Sequence, residues 1–328
     1  MSLPLQNDPS RATLLDYLRM ARFDHVTKHV FMLPGIALAW LLRGAPEQGF
    51  VPALLLGLGA AFCIASANYV MNEWLDRSAD IHHPEKSHRT AIRKRVCPRR
   101  VQGLYLALLM AGLGLAAMLG AAYTAVCAVF ALAGIVYNVE PLRSKDIVYV
   151  DVLSEAFNNA IRLTLGWLIV DPGSVPPASL LLAFWSGGAF LMNSKRLAEY
   201  RDIVKEIGRD KLILYRRSFA TYDETKLSVA NFVYALSCGF FLAIFFIKYR
   251  IEYILLFPFV IALFAQYHAS ALRPNSLARK PELLYRSAPV MALSAATALV
   301  FLFATFVDIP LLERLTDAHF IELPAYGR

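Results

Sequence analysis

Cysteine is scarce. Cys63, Cys97, Cys127 and Cys238 are all that the 328 residues contain, and no Cys-x-x-Cys pair occurs among them. That excludes a disulfide framework and a thiolate zinc site, and it leaves free thiols, three of them in or near apolar runs. Histidine gives no metal signal either, because His25, His29, His82, His83, His88, His268 and His319 never adopt the His-Glu-x-x-His spacing. A Walker loop, a Gly-x-Ser-x-Gly elbow and a Gly-x-Gly-x-x-Gly turn after a strand are also missing, so the chemistries they serve have no footing. Polar Gln6, Asn7, Asp8 and Arg11 precede any apolar run, so no cleavable signal is expected. Charge is sparse at 18% of residues.

Apolar sequence fills the space. The hydrophobic share is 57% and the mean hydropathy +0.47, well above soluble domains. Apolar stretches that are candidates to cross a hydrocarbon core recur at 29–43, 51–71, 102–120, 122–137, 151–170, 177–193, 228–247, 252–272 and 287–306, the first and fourth of them short. The expectation is an all-α polytopic membrane bundle of about nine transmembrane helices. Ser10 to His25 reads as an amphipathic helix capped by Ser10, with Leu14, Leu18 and Ala21 on one face, lying on the cytoplasmic leaflet. The expected organisation is an interfacial segment at 1–27, a membrane domain at 28–307 and an extracytoplasmic tail at 308–328.

The net charge of +8 is distributed by side of the membrane. Sorted by the nine stretches, 27 Lys and Arg fall on one side, five on the other, and Arg162 inside a span. The positive-inside rule then places the N-terminus and the Asp-rich loops in the cytoplasm of a bacterial-type inner (plasma) membrane. Such a basic face fits anionic head groups or phosphate substrates, not nucleic acid.

Chemistry concentrates where the second stretch ends. Asn68, Asn72, Asp76 and Asp80 recur every fourth residue, a spacing that drifts only about 40° per step on a helix, so all four line one face. Two carboxylates with amide oxygens suit Mg²⁺, which takes one or two carboxylates and fills its other positions with water and phosphate oxygens. The tail His83-Pro84-x-Lys86-x-x-Arg89 adds cations that can hold further phosphate oxygens. A second polar stretch, Tyr137-Asn138-Val-Glu140-Pro-Leu142-Arg143-Ser-Lys145, ends the fourth span. Asp151 follows, with Arg162 three turns into the fifth span. Arginine at that depth needs a polar cavity or a partner such as Glu155. The third stretch opens with Lys195-Arg196-Leu-Ala-Glu199. Its acids Glu199, Asp202, Glu206 and Asp210 could share a helix face as ordinary ion-pair partners.

This pattern resembles the UbiA superfamily of intramembrane prenyltransferases over roughly residues 20–305, with Asn72-x-x-x-Asp76-x-x-x-Asp80 as the main motif. Within it, the tail after Asp80 looks most like the decaprenyl-phosphate phosphoribosyltransferase branch. Lys28, Tyr137, Leu142, Arg143, Asp151, Arg162, Lys195, Arg196 and Glu199 match that branch's pattern. Glu73, Thr90-Ala91-Ile92 and His29 depart from it, in place of Asp, Pro-Ile-Ala and Asn. The resemblance implies an all-helical fold with a Mg²⁺–diphosphate site in a cytoplasmic cavity. The metal would sit on Asn72, Asp76 and Asp80, with the two aspartates catalytic. Asn68, Lys86, Arg89, Tyr137, Arg143, Asp151 and Arg162, with Lys28, Lys195, Arg196 and Glu199, would face substrates. The expected reaction is transfer of phosphoribose from phosphoribosyl diphosphate to a polyprenyl phosphate. Prenyl transfer from a prenyl diphosphate to an aromatic or other small acceptor is the alternative. An aromatic acceptor calls for a second Asp-x-x-x-Asp, and the chain offers only Asp202-x-x-x-Glu206 behind Lys195-Arg196. A transporter is the more remote reading, without an evident inverted repeat. The Asp-Gly-x-x-Ala-Arg opening of CDP-alcohol phosphotransferases is missing. Membrane lipids are expected partners and nucleic acid is not; homo-oligomerisation is left open.

Overall fold

In hydrocarbon a chain must satisfy its own backbone, and a long apolar run does so as a helix. The computed structural model describes residues 10–45, 49–83, 86, 88–274, 276–279 and 286–316, without the side chains of 25–27, 206–207 and 315. Its helices are α1 (Leu14–Met20), α2 (Leu33–Arg43), α3 (Phe50–Leu75), α4 (Arg77–Asp80), α5 (Thr90–Arg93), α6 (Pro98–Ala117) and α7 (Ala121–Asn138). They continue as α8 (Val150–Val170), α9 (Ala178–Ile207), α10 (Arg209–Tyr215), α11 (Glu224–Tyr249), α12 (Phe257–Ala271), α13 (Ala288–Phe306) and α14 (Pro310–Thr316). The described residues contain no strand, only an isolated bridge between Arg11 and Arg95.

Each expected apolar stretch falls on a helix, but length and hydropathy license six spans among the described residues, not nine. The other three fall short for physical reasons. Helix α2 has only 11 residues, and α8 and α9 carry Asp151, Glu155, Arg162, Lys195 and Arg196. Polarity is the cost of lining a cavity.

Helix α8 is the hub. It packs against α2, α3, α7 and α9, and from Asn159 to Val170 only Thr164 is not buried. Two glycines let α2 cross it closely. A Cβ at Gly35 would stand 2.0 Å from the Leu163 carbonyl oxygen, and one at Gly166 would stand 2.0 Å from that of Met32. Around this crossing Ile36, Ile64, Phe130, Leu163 and Trp167 form one apolar core. A second, nearer the polar end, joins α8, α9 and α11 through Val152, Phe190, Leu197, Leu227 and Tyr234. Helices α12 and α13 sit at the rim, with Ile261, Leu299, Phe303 and Phe306 exposed as a lipid-facing helix requires.

The N-terminal helix is shorter than expected. It starts at Leu14 under a capping box in which Thr13 accepts from the Asp16 amide and Asp16 accepts from the Thr13 amide. Ser10 does not cap it. The Ser10 carbonyl instead accepts from the Arg95 amide at 3.0 Å, pinning this segment to the α5–α6 connection. Tyr17, Met20 and Ala21 are buried, while Leu14, Leu15 and Leu18 are exposed. Of the expected terminal segments, 1–9 and 317–328 lie outside the described residues.

Candidate active site

The stripe Asn68, Asn72, Asp76, Asp80 survives as a nearly continuous surface, because Asp76 joins α3 to α4 with only a small break (φ −90°, ψ −1°). Its members take different partners. Asn68 Nδ2 donates to the Phe130 carbonyl of α7 at 3.1 Å, and Asn72 Nδ2 donates to Asn138 Oδ1 at 2.6 Å. Gly134 permits this approach: a Cβ there would lie 2.2 Å from the Asn68 amide. Asp76 Oδ1 accepts from Lys145 and, at 3.0 Å, from Arg143. Asp80 is buried and accepts from Arg89, with Lys86 at 3.9 Å.

The loop after α7 holds its cations rigidly. Arg143 has φ +24°, costly for a non-glycine residue, and is tied to Asp146 at 2.8 Å and to the Asn138 carbonyl at 3.0 Å. Lys145 Nζ also donates to Asn138 Oδ1 at 2.8 Å. Burial pushes the Lys145 ammonium down to about 8 although Asp76 opposes it. Burial acts against the Asp76 carboxylate too, but Lys145 and Arg143 outweigh it and hold the group below its ordinary value. Across the mouth, Lys86 donates to the Tyr215 hydroxyl, with its ammonium also 4.3 Å from that ring's centroid. His83 and the same ring form a T-shaped pair with centroids 4.4 Å apart. Burial lowers Lys86 to about 7 and His83 to about 3.

Between these walls lies a cavity of about 1330 Å³, bounded by residues 24–33, α3, α7, α8 and α9. Lys28, Asn68, Asn72, Asp76, Lys86 and Arg89 line it, as do Tyr137, Arg162, Lys195, Arg196 and Glu199. Asp80, Arg143 and Asp151 do not: the first two stand behind Arg89 and Asp76. Asp151 is fully buried, accepting from Tyr222 at 2.6 Å and Ser218 at 3.1 Å, with Arg196 and Arg216 at 3.4 Å. Arg196 is equally committed. Glu155 at 2.5 Å, Glu199 at 3.0 Å and Asp151 surround its guanidinium. The acids expected to share a helix face are divided, because α9 ends at Gly208 with φ +85° and Asp210 belongs to α10. Asp202 pairs with Arg279 at 3.5 Å, and the Glu206 side chain lies outside the described residues.

Arg162 is the opposite case. It is buried, yet no carboxylate among the described residues pairs with it, Glu155 included. Its guanidinium lies 5.0 Å from the Phe130 ring, donates to the Asn158 carbonyl at 3.3 Å and bonds the Tyr69 side chain. Its Nε has no hydrogen-bond partner among the described residues. Neither do Asn68 Oδ1, Asn158 Oδ1 and His29 Nδ1, all buried on residues lining the same cavity.

Motif reading missed Asn138, Lys145, Tyr69, Tyr215, Glu155 and Arg216 as site members. Asn138 and Lys145 stood inside a stretch already singled out. Their bonds to α3 span 66 and 69 residues of sequence, which no local spacing reveals. The departure at Glu73 has a local account. This longer acid accepts from the Ala91 amide at 3.3 Å and pairs with Arg22 at 3.5 Å, fastening α3 to the loop beyond Asp80.

A family model described as the UbiA prenyltransferase family matches residues 30–288. Nodulation protein NoeC of Azorhizobium caulinodans is 28% identical over 203 residues, 57% of this chain; the match spans 61% of that relative's length. Among solved structures, a UbiA homolog from Archaeoglobus fulgidus bound to GPP and Mg²⁺ superposes with a TM-score of 0.67 at 20% identity, covering 89% of this chain and 100% of that one. A digeranylgeranylglyceryl phosphate synthase structure gives 0.57 at 12% identity, covering 89% and 96%. At these identities the structures establish the shared fold.

Proposed function

For a chain that belongs to the UbiA prenyltransferase family, a family of intramembrane transferases, we propose that the group transferred is phosphoribose, from phosphoribosyl diphosphate to a polyprenyl phosphate. One observation carries this: the partnerless Arg162 Nε, Asn68 Oδ1, Asn158 Oδ1 and His29 Nδ1 of the cavity wall. A buried unsatisfied polar group costs roughly 1–3 kcal/mol, so the wall favours a ligand that supplies an anion and hydroxyl donors together. A pentose bearing phosphates has both. A prenyl diphosphate has phosphate oxygens but no hydroxyl, and its chain would strand these atoms. The apolar part of the wall, at Leu33, Leu58, Ala65 and Met192, then suits the acceptor's tail.

The side chains of the stripe offer carboxylate and amide oxygens, the donors that a hard divalent cation takes. Asn72 and Asp76, which line the cavity, would hold Mg²⁺, which when bound neutralises charge on the departing diphosphate, while Asp80 would orient Arg89 from behind. Lys86, Arg89 and Arg162 bind donor phosphates. Lys28 and Lys195 orient the polyprenyl phosphate, one of whose anionic oxygens attacks C1 as the C1–diphosphate bond breaks. No proton has to leave that oxygen, which fits a wall rich in cations. Charge already in place lowers the barrier, because nothing need reorganise as the bond breaks. In this scheme Arg196 and Asp151 brace the site without touching substrate.

Prenyl transfer is the second reading, favoured by the solved relatives bound to GPP or DMAPP. The test is purified protein with Mg²⁺, labelled phosphoribosyl diphosphate and polyprenyl phosphate, beside a reaction with labelled prenyl diphosphate and an aromatic acid. Label entering lipid only in the first supports phosphoribosyl transfer. Product only in the second overturns it.

A further inference from the structure

Beyond the cavity, the N-terminal segment and the α5–α6 connection form one surface. The Ser10 carbonyl accepts from Arg95, the Ala12 amide donates to the Arg95 carbonyl at 3.1 Å, and the Cys97 amide donates to the Tyr17 hydroxyl at 2.8 Å. Beneath, Ala12, Tyr17, Met20 and Ala21 pack on Val70, Ala91 and Val101. The two stretches therefore move as a unit.

The outer face of that unit is basic and apolar at once. Arg11, Arg93, Arg95, Arg99 and Arg100 are exposed, and Arg93, Arg99 and Arg100 pair with no carboxylate among the described residues. Asp16 is the single acid within 10–22 and 88–101, and it is buried in the capping box. Beside the cations Leu14 is 77% exposed and Leu15 58%, which water alone would not favour. Depth is set by α6, a helix long and apolar enough to cross a membrane. Arg99 and Arg100 lie in its first turn, at the height where hydrocarbon gives way to head groups. The bonds to Arg95 and Cys97 hold α1 beside that turn, so its leucines can enter the acyl boundary while the arginines meet phosphates.

We propose that this surface is a docking site for the head groups of anionic phospholipids, formed by α1 and residues 88–100. It ends at Arg19 and Arg22, which line the cavity mouth, and so gathers anionic lipid where a lipid phosphate would enter. The binding itself does not depend on which group the cavity transfers.

The test is thermal unfolding of the purified full chain in neutral detergent, titrated with phosphatidylglycerol, phosphatidylcholine or inorganic phosphate. Wild type should be stabilised at a lower mole fraction of phosphatidylglycerol than of phosphatidylcholine, and inorganic phosphate should not substitute. Each removed cation weakens attraction to an anionic surface roughly fivefold. The triple variant Arg93→Gln/Arg99→Gln/Arg100→Gln should therefore lose most of that preference while melting like wild type without lipid. Asp76→Asn, whose defect would lie in the cavity, should keep it. Equal stabilisation by both lipids, or an undiminished preference in the triple variant, overturns the proposal. If inorganic phosphate reproduces the effect, the site takes free anions and the membrane assignment falls.

Discussion

Asp76 and Asp80 share a motif, but their surroundings separate them. Asp76 borders the cavity with 16% of its side chain exposed; Asp80 has 2% and sits behind Arg89. Asp76→Asn should cut turnover by more than about a hundredfold, part of the several kcal/mol that metal-assisted charge neutralisation supplies, and melt lower because the buried Lys145 loses its counter-ion. Asp80→Asn should lose turnover and also melt lower, because Arg89 then keeps a charge without its counter-ion. Turnover of either protein near the wild-type rate would remove the carboxylate stripe from the mechanism. Arg162 and Arg196 make a second contrast. Arg196→Ala strands Glu155, Glu199 and Asp151 around an empty place, a loss of about 3–5 kcal/mol that purification yield and detergent melting will register. Arg162→Ala removes a cation with no acid to strand. It should fold normally yet lose about 1.5–3 kcal/mol of donor binding, read as a smaller melting shift with Mg²⁺ and phosphoribosyl diphosphate. A full shift would exclude Arg162 from the donor site. Both arginines were legible as candidates in the sequence. Their difference lies in which acids surround them, and those acids come from other helices.

Helices α2 and α8 touch through glycine, so their crossing is sensitive to a single methyl group. Gly166→Ala would place a Cβ 2.0 Å from a backbone oxygen, which cannot rotate away, and α2 must shift outward. Overpacking of this kind costs about 1–3 kcal/mol, and the segment 23–32 that carries Lys28 and His29 is joined directly to α2. The variant should melt several degrees lower and bind donor more weakly. An unchanged melting curve would mean the two helices are not held this close. Apolar runs in the sequence located both helices, although neither is long and apolar enough to qualify as a span by itself. Hydrophobic periodicity failed at α1, where Thr13 and Asp16 form the cap and Ser10 is drawn into pairing with Arg95. That contact joins positions 85 residues apart, and no local preference encodes it.

Across the whole molecule the polar loops gather at one end. Helix α10 touches α4, while residues 171–177 lie beyond the far end of α8, 21 residues or roughly 30 Å away. With Cys97 replaced, Arg93→Cys and Lys211→Cys should react with an impermeant maleimide only from the cytoplasmic side, and Val175→Cys only from outside. All three positions are exposed. Labelling of Arg93→Cys and Val175→Cys from the same side would break the charge-derived topology.

Composition and spacing by themselves determined that this chain is a helical membrane protein, and where its Asn-Asp stripe, its basic loops and its buried arginine stand. These are properties of single segments: apolar length sets a helix, and a four-residue repeat sets a face. Tertiary structure alone decided which charges are spent on one another and which are left for a ligand. Asp151 and Arg196 looked like substrate contacts in sequence and are enclosed by counter-ions in the fold. Asn158 and Arg162 share α8, but Asn68 and His29 belong to other stretches, and the unsatisfied atoms of all four acquire meaning only when the fold turns them to one cavity. Pairing energy depends on distance and burial, and neither exists until the helices pack.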